Sequence, residues 1–327
     1  MANSSYWKNK TVVVSGGLGF IGSHFVEELA SLDVNVICFY RTLPGEGLPE
    51  YTNGQNIRYI QLDLLDRDEL ESACRYIAKI DCFIHCAALD GNTQFKIKYA
   101  AKILDINNRL VSNVLNGCRI ANIHDVVLLS SAEIYSSSAP DKIAETDDYH
   151  RFLGYTENGY VLSKIFAEIL AEFHHSQYDM RIYTPRPTNV YGPRDGFDEA
   201  TNRVIPSMIR KVANNETIEI WGNGKQTRSF IYVKDVIHAT LQAVESGLLG
   251  ATNIATKDQI SILDLANLIS KEFKATNSVK LDETKPTGSK ARALDASKMY
   301  SLIDFKPFTI RDGLAETIDW YSANVSK

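Results

Sequence analysis

The chain has 327 residues, 44% of them hydrophobic and 23% charged, with a formal net charge of -5 and a pI near 5.8. That composition supports a large buried core, and it excludes the basic face that nucleic acid or an anionic membrane surface would require. No apolar run approaches the ~18 residues of a membrane span, and Met1-Ala2-Asn3-Ser4-Ser5 lacks a secretion signal, so a cytoplasmic chain with a small-molecule partner is expected.

Thr11-Val12-Val13-Val14 suits a strand buried on both faces, and apolar residues recur at helical spacing from Phe20 to Ala30. Between them stands Ser15-Gly16-Gly17-Leu18-Gly19-Phe20-Ile21-Gly22. Strand, tight turn and helix in this order form a bed for a dinucleotide pyrophosphate at the helix N-terminus. Gly16, Gly19 and Gly22 remove β-carbons where backbone and phosphate must approach, and Phe20 and Ile21 open the helix beside them. Further strands are predicted near 34–39, 57–62, 81–87, 125–130 and 180–185, and helices near 66–79, 98–121 and 158–177. Apolar strands alternating with helices predict an α/β fold, a Rossmann-type doubly wound parallel sheet over residues 1–188, with ligands at the strands' carboxyl ends.

From Asn189 the texture changes to loops rich in Pro, Gly and Asp, with strands near 217–221 and 252–255 and helices near 202–213, 261–273 and 311–323. Residues 189–327 are read as a smaller substrate-binding lobe, some segments of which return to the first domain. Five cysteines (38, 74, 82, 86 and 118) form an odd set without metal-type spacing, which points to reduced core thiols and no metal site.

Two places carry the chemistry. At the end of the second strand, Tyr40-Arg41 stands where an NAD enzyme would place an acid for the ribose hydroxyls. Arg41 can pair with a 2′-phosphate, so NADP is favoured and NAD is the alternative. Tyr160 and Lys164 lie one helical turn apart on one face. A phenol is a poor base at neutral pH, and an ammonium nearby would favour its phenolate for work on a hydroxyl or ketone.

With these features the sequence resembles the extended short-chain dehydrogenase/reductase family, in its nucleotide-sugar epimerase, dehydratase and reductase branch. The likeness runs over nearly the whole chain, through Asp63-Leu64, His85-Cys86-Ala87-Ala88, Ser130-Ser131-Ala132-Glu133-Ile134-Tyr135, Arg186-Pro187-Thr188-Asn189-Val190-Tyr191-Gly192-Pro193 and Trp221-Gly222-Asn223-Gly224-Lys225-Gln226-Thr227-Arg228. Val204-Ile205-Pro206 and Lys285-Pro286-Thr287-Gly288 are most similar to the GDP-fucose synthases.

The resemblance implies that Ser131 hydrogen-bonds the reacting oxygen and that Lys164 also holds the nicotinamide ribose. It places Asp63 and Leu64 at the adenine and Ala87 and Ala88 along the cofactor. It gives a nucleotide diphosphate sugar Asn189, Arg228 and Arg292 for its oxygens and Trp221 as a platform for its base. It also implies a homodimer built on helices 98–121 and 158–177.

Two residues of the GDP-fucose synthases are replaced: Ala132 stands for a cysteine and Arg194 for a histidine, both used there in epimerising carbons beside the ketone. Ala132 also stands where dehydratases carry an acid, while Glu133 retains their base. Three reactions follow. The first is epimerisation through transient oxidation at C4; the second is NADPH-dependent reduction of a 4-keto sugar; the third is 4,6-dehydration or decarboxylation using Glu133.

Overall fold

The computed structural model describes residues 4–43, 56–135, 142–147, 157–198, 203–275, 279–285 and 293–325. Seven strands form the main sheet: β1 (Thr11–Ser15), β2 (Asn35–Tyr40), β3 (Ile57–Gln61), β4 (Cys82–His85), β5 (Asp125–Leu128), β6 (Arg181–Pro187) and β7 (Gly250–Ile254). They are all parallel, in the order β7-β6-β5-β4-β1-β2-β3.

The uninterrupted apolar runs are explained by burial on two faces. Val13, Ile37, Phe83 and Val126 point to one side, where Leu70, Val114 and Leu115 cover them. Val12, Val14, Val36 and Ile84 point to the other, against Phe25, Leu29 and Leu241. All five cysteines are free thiols, and Cys38, Cys74, Cys82 and Cys118 are buried.

Strand order reverses between β1 and β4, where Ser15 pairs with His85 in register. Such a switch point opens a crevice at the carboxyl ends of the strands, and the site lies there. Two helices flank it, Ala100–Ile120 and Gly159–Tyr178, which pack against each other. Asn158 starts the second by accepting hydrogen bonds from the backbone N–H of Tyr160 (3.0 Å) and Val161 (3.2 Å).

The part beyond residue 189 has its own core, centred on Ile209, Ile218, Ile231, Leu265 and Leu314. Strand Ile218–Trp221 pairs in parallel with Val279–Asp282 there. Two segments leave this lobe for the main sheet. The stretch read as a short lobe strand near 252–255 is β7, the sheet's edge. The helix Val233–Glu245, for which the sequence showed no start signal, packs Ile237, Leu241 and Val244 under the face of Val12 and Val14. Tyr232 precedes it and provides no side-chain cap, so the usual marker is missing.

Candidate active site

The glycine turn leaves β1 with Gly16 in the left-handed region at φ +68°, its N–H donating to the Phe39 carbonyl at 3.0 Å. A β-carbon at Gly16 would lie 2.9 Å from the Ala87 backbone, and one at Gly22 would lie 2.2 Å from the Gly16 carbonyl oxygen. The turn is therefore closed to any side chain at both positions. Gly19 begins the helix Phe20–Ser31 and brings no side-chain cap, which leaves the first N–H groups directed into the crevice.

Gly16, Gly19, Phe20, Ile21 and Gly22 line a cleft of about 1920 Å³ together with Arg41, Asp63, Leu64, Ala87 and Ala88. Arg41 is exposed on its rim, just past β2. The Asp63–Leu64 loop is fixed from within by Asn113, whose Nδ2 donates to the Leu64 carbonyl at 2.9 Å. Under the turn the Ser15 hydroxyl lies 2.8 Å from His85 Nδ1, and burial together with the Lys164 charge pushes this imidazole down to about 3.

Further along the cleft stand Ser131, Glu133, Tyr160 and Lys164. Lys164 Nζ lies 5.4 Å from the Tyr160 ring centroid and donates to the Leu129 carbonyl at 2.6 Å. Ser131 hydrogen-bonds the phenol and also accepts from the Glu133 N–H at 3.1 Å. Tyr160 is buried, and burial followed by the Asp90 and Glu133 charges pushes its phenol well above the ordinary tyrosine range. Desolvation and the two carboxylates outweigh the Ser131 hydrogen bond, which acts the other way.

At the far end of the cleft, Asn189 donates to the Ser229 carbonyl at 2.8 Å. Half-buried Arg228 donates to the Thr227 carbonyl at 2.7 Å, and no carboxylate pairs with it among the described residues. Trp221 is 48% exposed on the rim, with Lys285 Nζ 5.0 Å from its ring, so it is not a core residue. Arg292 lies outside the described residues. Arg194 turns away from the cleft: its guanidinium donates to Ser23 Oγ at 2.9 Å and to Glu27 at 2.6 Å.

The profile of the NAD dependent epimerase/dehydratase family matches residues 12–255. The chain belongs to this family. It is an enzyme of the extended short-chain dehydrogenase/reductase group and works with NAD(P). The dTDP-4-dehydro-6-deoxy-D-allose reductase of a Streptomyces species is 45% identical over 316 residues, 96% of this chain and 97% of its own. GDP-L-fucose synthase 1 of Arabidopsis thaliana is 28% identical over 97% of this chain and 95% of its own. Among solved structures, the UDP-N-acetylglucosamine 4-epimerase of Methanobrevibacter ruminantium M1, in complex with UDP-N-acetylmuramic acid, matches with a TM-score of 0.86 at 29% identity, over 97% of this chain and 100% of that one.

The family's dinucleotide fits what the turn provides, since the helix Phe20–Ser31 begins without a side-chain cap at the cleft that Gly16, Gly19 and Gly22 line. Three cleft residues were not singled out in the sequence. Lys96, buried beside Tyr160, comes from the short helix Thr93–Lys98, and its setting in Phe95-Lys96-Ile97 was the available signal. Asp195 and Arg203 form an ion pair at 2.5 Å, and burial raises the Asp195 carboxyl to about 6. They stand eight positions apart in sequence, and no local pattern marks them.

Proposed function

We propose that this enzyme reduces the 4-keto group of a nucleotide diphosphate 4-keto-6-deoxyhexose, with dTDP as the nucleotide and NADPH as the cofactor. The observation that carries the reading is the buried Tyr160 phenol, hydrogen-bonded by Ser131 and with Lys164 Nζ 5.4 Å from its ring centroid. Reduction of a ketone needs a proton donor at the carbonyl oxygen, and a phenol kept neutral by its surroundings is one. The 45% identity to the Streptomyces reductase supports the same direction and supplies the nucleotide and the sugar class.

When bound, NADPH supplies hydride to the carbonyl carbon. Ser131 and Tyr160 fix the carbonyl oxygen between two hydroxyls, and Tyr160 gives up its proton as negative charge grows on that oxygen. Lys164, with Nζ 5.4 Å from the ring centroid, stabilises the phenolate left behind. Gly16, Gly19, Phe20, Ile21 and Gly22 would hold the pyrophosphate, Asp63 and Leu64 the adenosine end, and Ala87, Ala88 and Lys164 the nicotinamide half. Arg41 would take the 2′-phosphate. Arg228 and Asn189 would bind the sugar nucleotide's diphosphate, with Trp221 beside its base.

Epimerisation at C4, the first reading from sequence, uses the same Ser131, Tyr160 and Lys164 and is the second reading here, supported by the likeness to the Methanobrevibacter epimerase. Dehydration ranks last. Ala132 donates no proton, and the carboxylate of Glu133 is engaged by Lys96 at 2.7 Å.

The test is mass spectrometry after incubation with a dTDP-4-keto-6-deoxyhexose and NADPH. A product two mass units heavier, formed one for one with oxidised cofactor, is the expected result. A dTDP-hexose converted at unchanged mass without net cofactor oxidation would put the epimerase reading first.

A further inference from the structure

Lys96 is nine-tenths buried and more, yet it is no part of the hydrophobic core. Its Nζ lies 2.7 Å from Glu133 Oε1, 3.0 Å from Asp90 Oδ1 and 4.1 Å from the centre of the Tyr160 ring. Burying an ammonium is costly unless it is paired, and here two carboxylates and a ring face satisfy it. The side chain is aimed by a built support. Asn92 caps the helix Thr93–Lys98 by accepting from the Phe95 N–H at 2.9 Å. Phe95 packs so closely on Gly91 that a β-carbon there would lie 2.6 Å from its ring.

Glu133 is thereby held twice. Its N–H is bound by Ser131 and its Oε1 by Lys96. It is also half-exposed to the cleft, beside the two hydroxyls that would bind the reacting oxygen. A carboxylate in that position has an obvious alternative reaction with a ketone. It would take a proton from a carbon next to the carbonyl, the C–H electron pair would become the C=C bond of an enolate, and the carbonyl oxygen would carry the charge. Return of a solvent proton to either face would scramble that carbon.

We infer that Lys96 is a positioning residue that prevents this exchange: by holding the Glu133 carboxylate it keeps the carbons flanking the ketone fixed while the carbonyl is reduced. The inference rests on the reading of the cleft as a 4-keto-sugar site. Ser131 and Tyr160 serve reduction and enolisation alike, because both need the carbonyl oxygen held. Which of the two follows is then decided by the freedom of Glu133.

The experiment incubates the protein in D2O with a dTDP-4-keto-6-deoxyhexose and oxidised cofactor, then measures deuterium at the carbons flanking the ketone by mass spectrometry and NMR. The unaltered protein should give no exchange above the buffer rate. Lys96→Met should exchange at least about 10²-fold faster, the low end of what a positioned general base provides. Lys96→Arg should restore the unaltered rate, and Lys96→Met combined with Glu133→Gln should lose the gain. A folded Lys96→Met variant with no added exchange would overturn the proposal, as would a gain that persists in the double variant. Fast exchange by the unaltered protein overturns it even if Lys96→Met does not fold. Reduction of the same sugar with NADPH is scored separately, so loss of the reductase reading shows as no reduction by the unaltered protein, whatever the exchange rates.

Discussion

Tyr160 and Lys164 were legible because the helix repeat alone puts them on one face, and Asn158 at the helix start fixes that register. The direction of the Tyr160 proton affinity was not legible. It is set first by burial and then by the charges of Asp90 and Glu133, which stand on two other segments. Removing the phenol oxygen should therefore test proton donation directly. Tyr160→Phe should lower turnover by about 10² to 10⁴-fold while cofactor affinity, measured by fluorescence titration, changes little. Near-normal turnover would remove Tyr160 from the mechanism. A second residue-scale test concerns His85, buried and held near 3 against an ordinary value of 6.5. Its folded pKa is depressed, so between pH 6.5 and about 3 the unfolded chain binds the proton that the folded chain refuses, and stability falls as pH falls. His85→Asn should lack this component. Its stability deficit against the unaltered chain, from urea unfolding, should shrink on acidification from pH 6.5 to 4; a deficit that is constant or grows would contradict the burial of a neutral imidazole.

At the scale of elements, strand and helix positions in the first half followed from apolar periodicity, and their burial on two faces explains why that signal was continuous. Close approaches were not visible. Gly159 sits against the helix Ala100–Ile120 so tightly that a β-carbon would lie 2.1 Å from the Ala100 carbonyl oxygen. The requirement comes from a neighbour some 60 positions away in sequence and leaves no local trace. The end of β2 is different, because there the chemistry sits on consecutive residues. Arg41 is exposed beside the cleft, and its backbone carbonyl accepts from Gln61 Nε2 at 3.0 Å, which anchors the main chain. Arg41→Ala should weaken NADPH by about 1.5 to 3 kcal/mol, the range for a hydrogen bond to a charged group, and NADH by much less. Calorimetric titration of both cofactors checks this. Equal losses, or tighter NADH in the unaltered protein, would move the cofactor assignment to NAD.

The whole molecule places the cleft between a parallel sheet and a second core, and two segments of the chain beyond residue 189 cross back to complete the sheet. A clean cut at the change of texture therefore does not describe the packing, since the helix Val233–Glu245 lies against β1. The outer surface carries the remaining expectation, a homodimer. Helices Ala100–Ile120 and Gly159–Tyr178 pack together, and near them Phe173 is 62% exposed, Ile97 45%, Tyr99 40% and Tyr178 39%. Phe173 leaves a large aromatic side chain open on the second of these helices, and such residues at the centre of an interface provide most of the binding energy. Light scattering should give twice the 36.6 kDa of one chain at micromolar concentration. Phe173→Glu would bring a charge into the desolvated centre and should raise the dissociation constant by roughly 10²-fold or more, as a change of at least ~2.7 kcal/mol. Phe173 does not line the cleft, so the monomer should still bind NADPH. A dimer unaffected by Phe173→Glu would place the interface on another surface, and a monomeric unaltered protein would remove the dimer altogether.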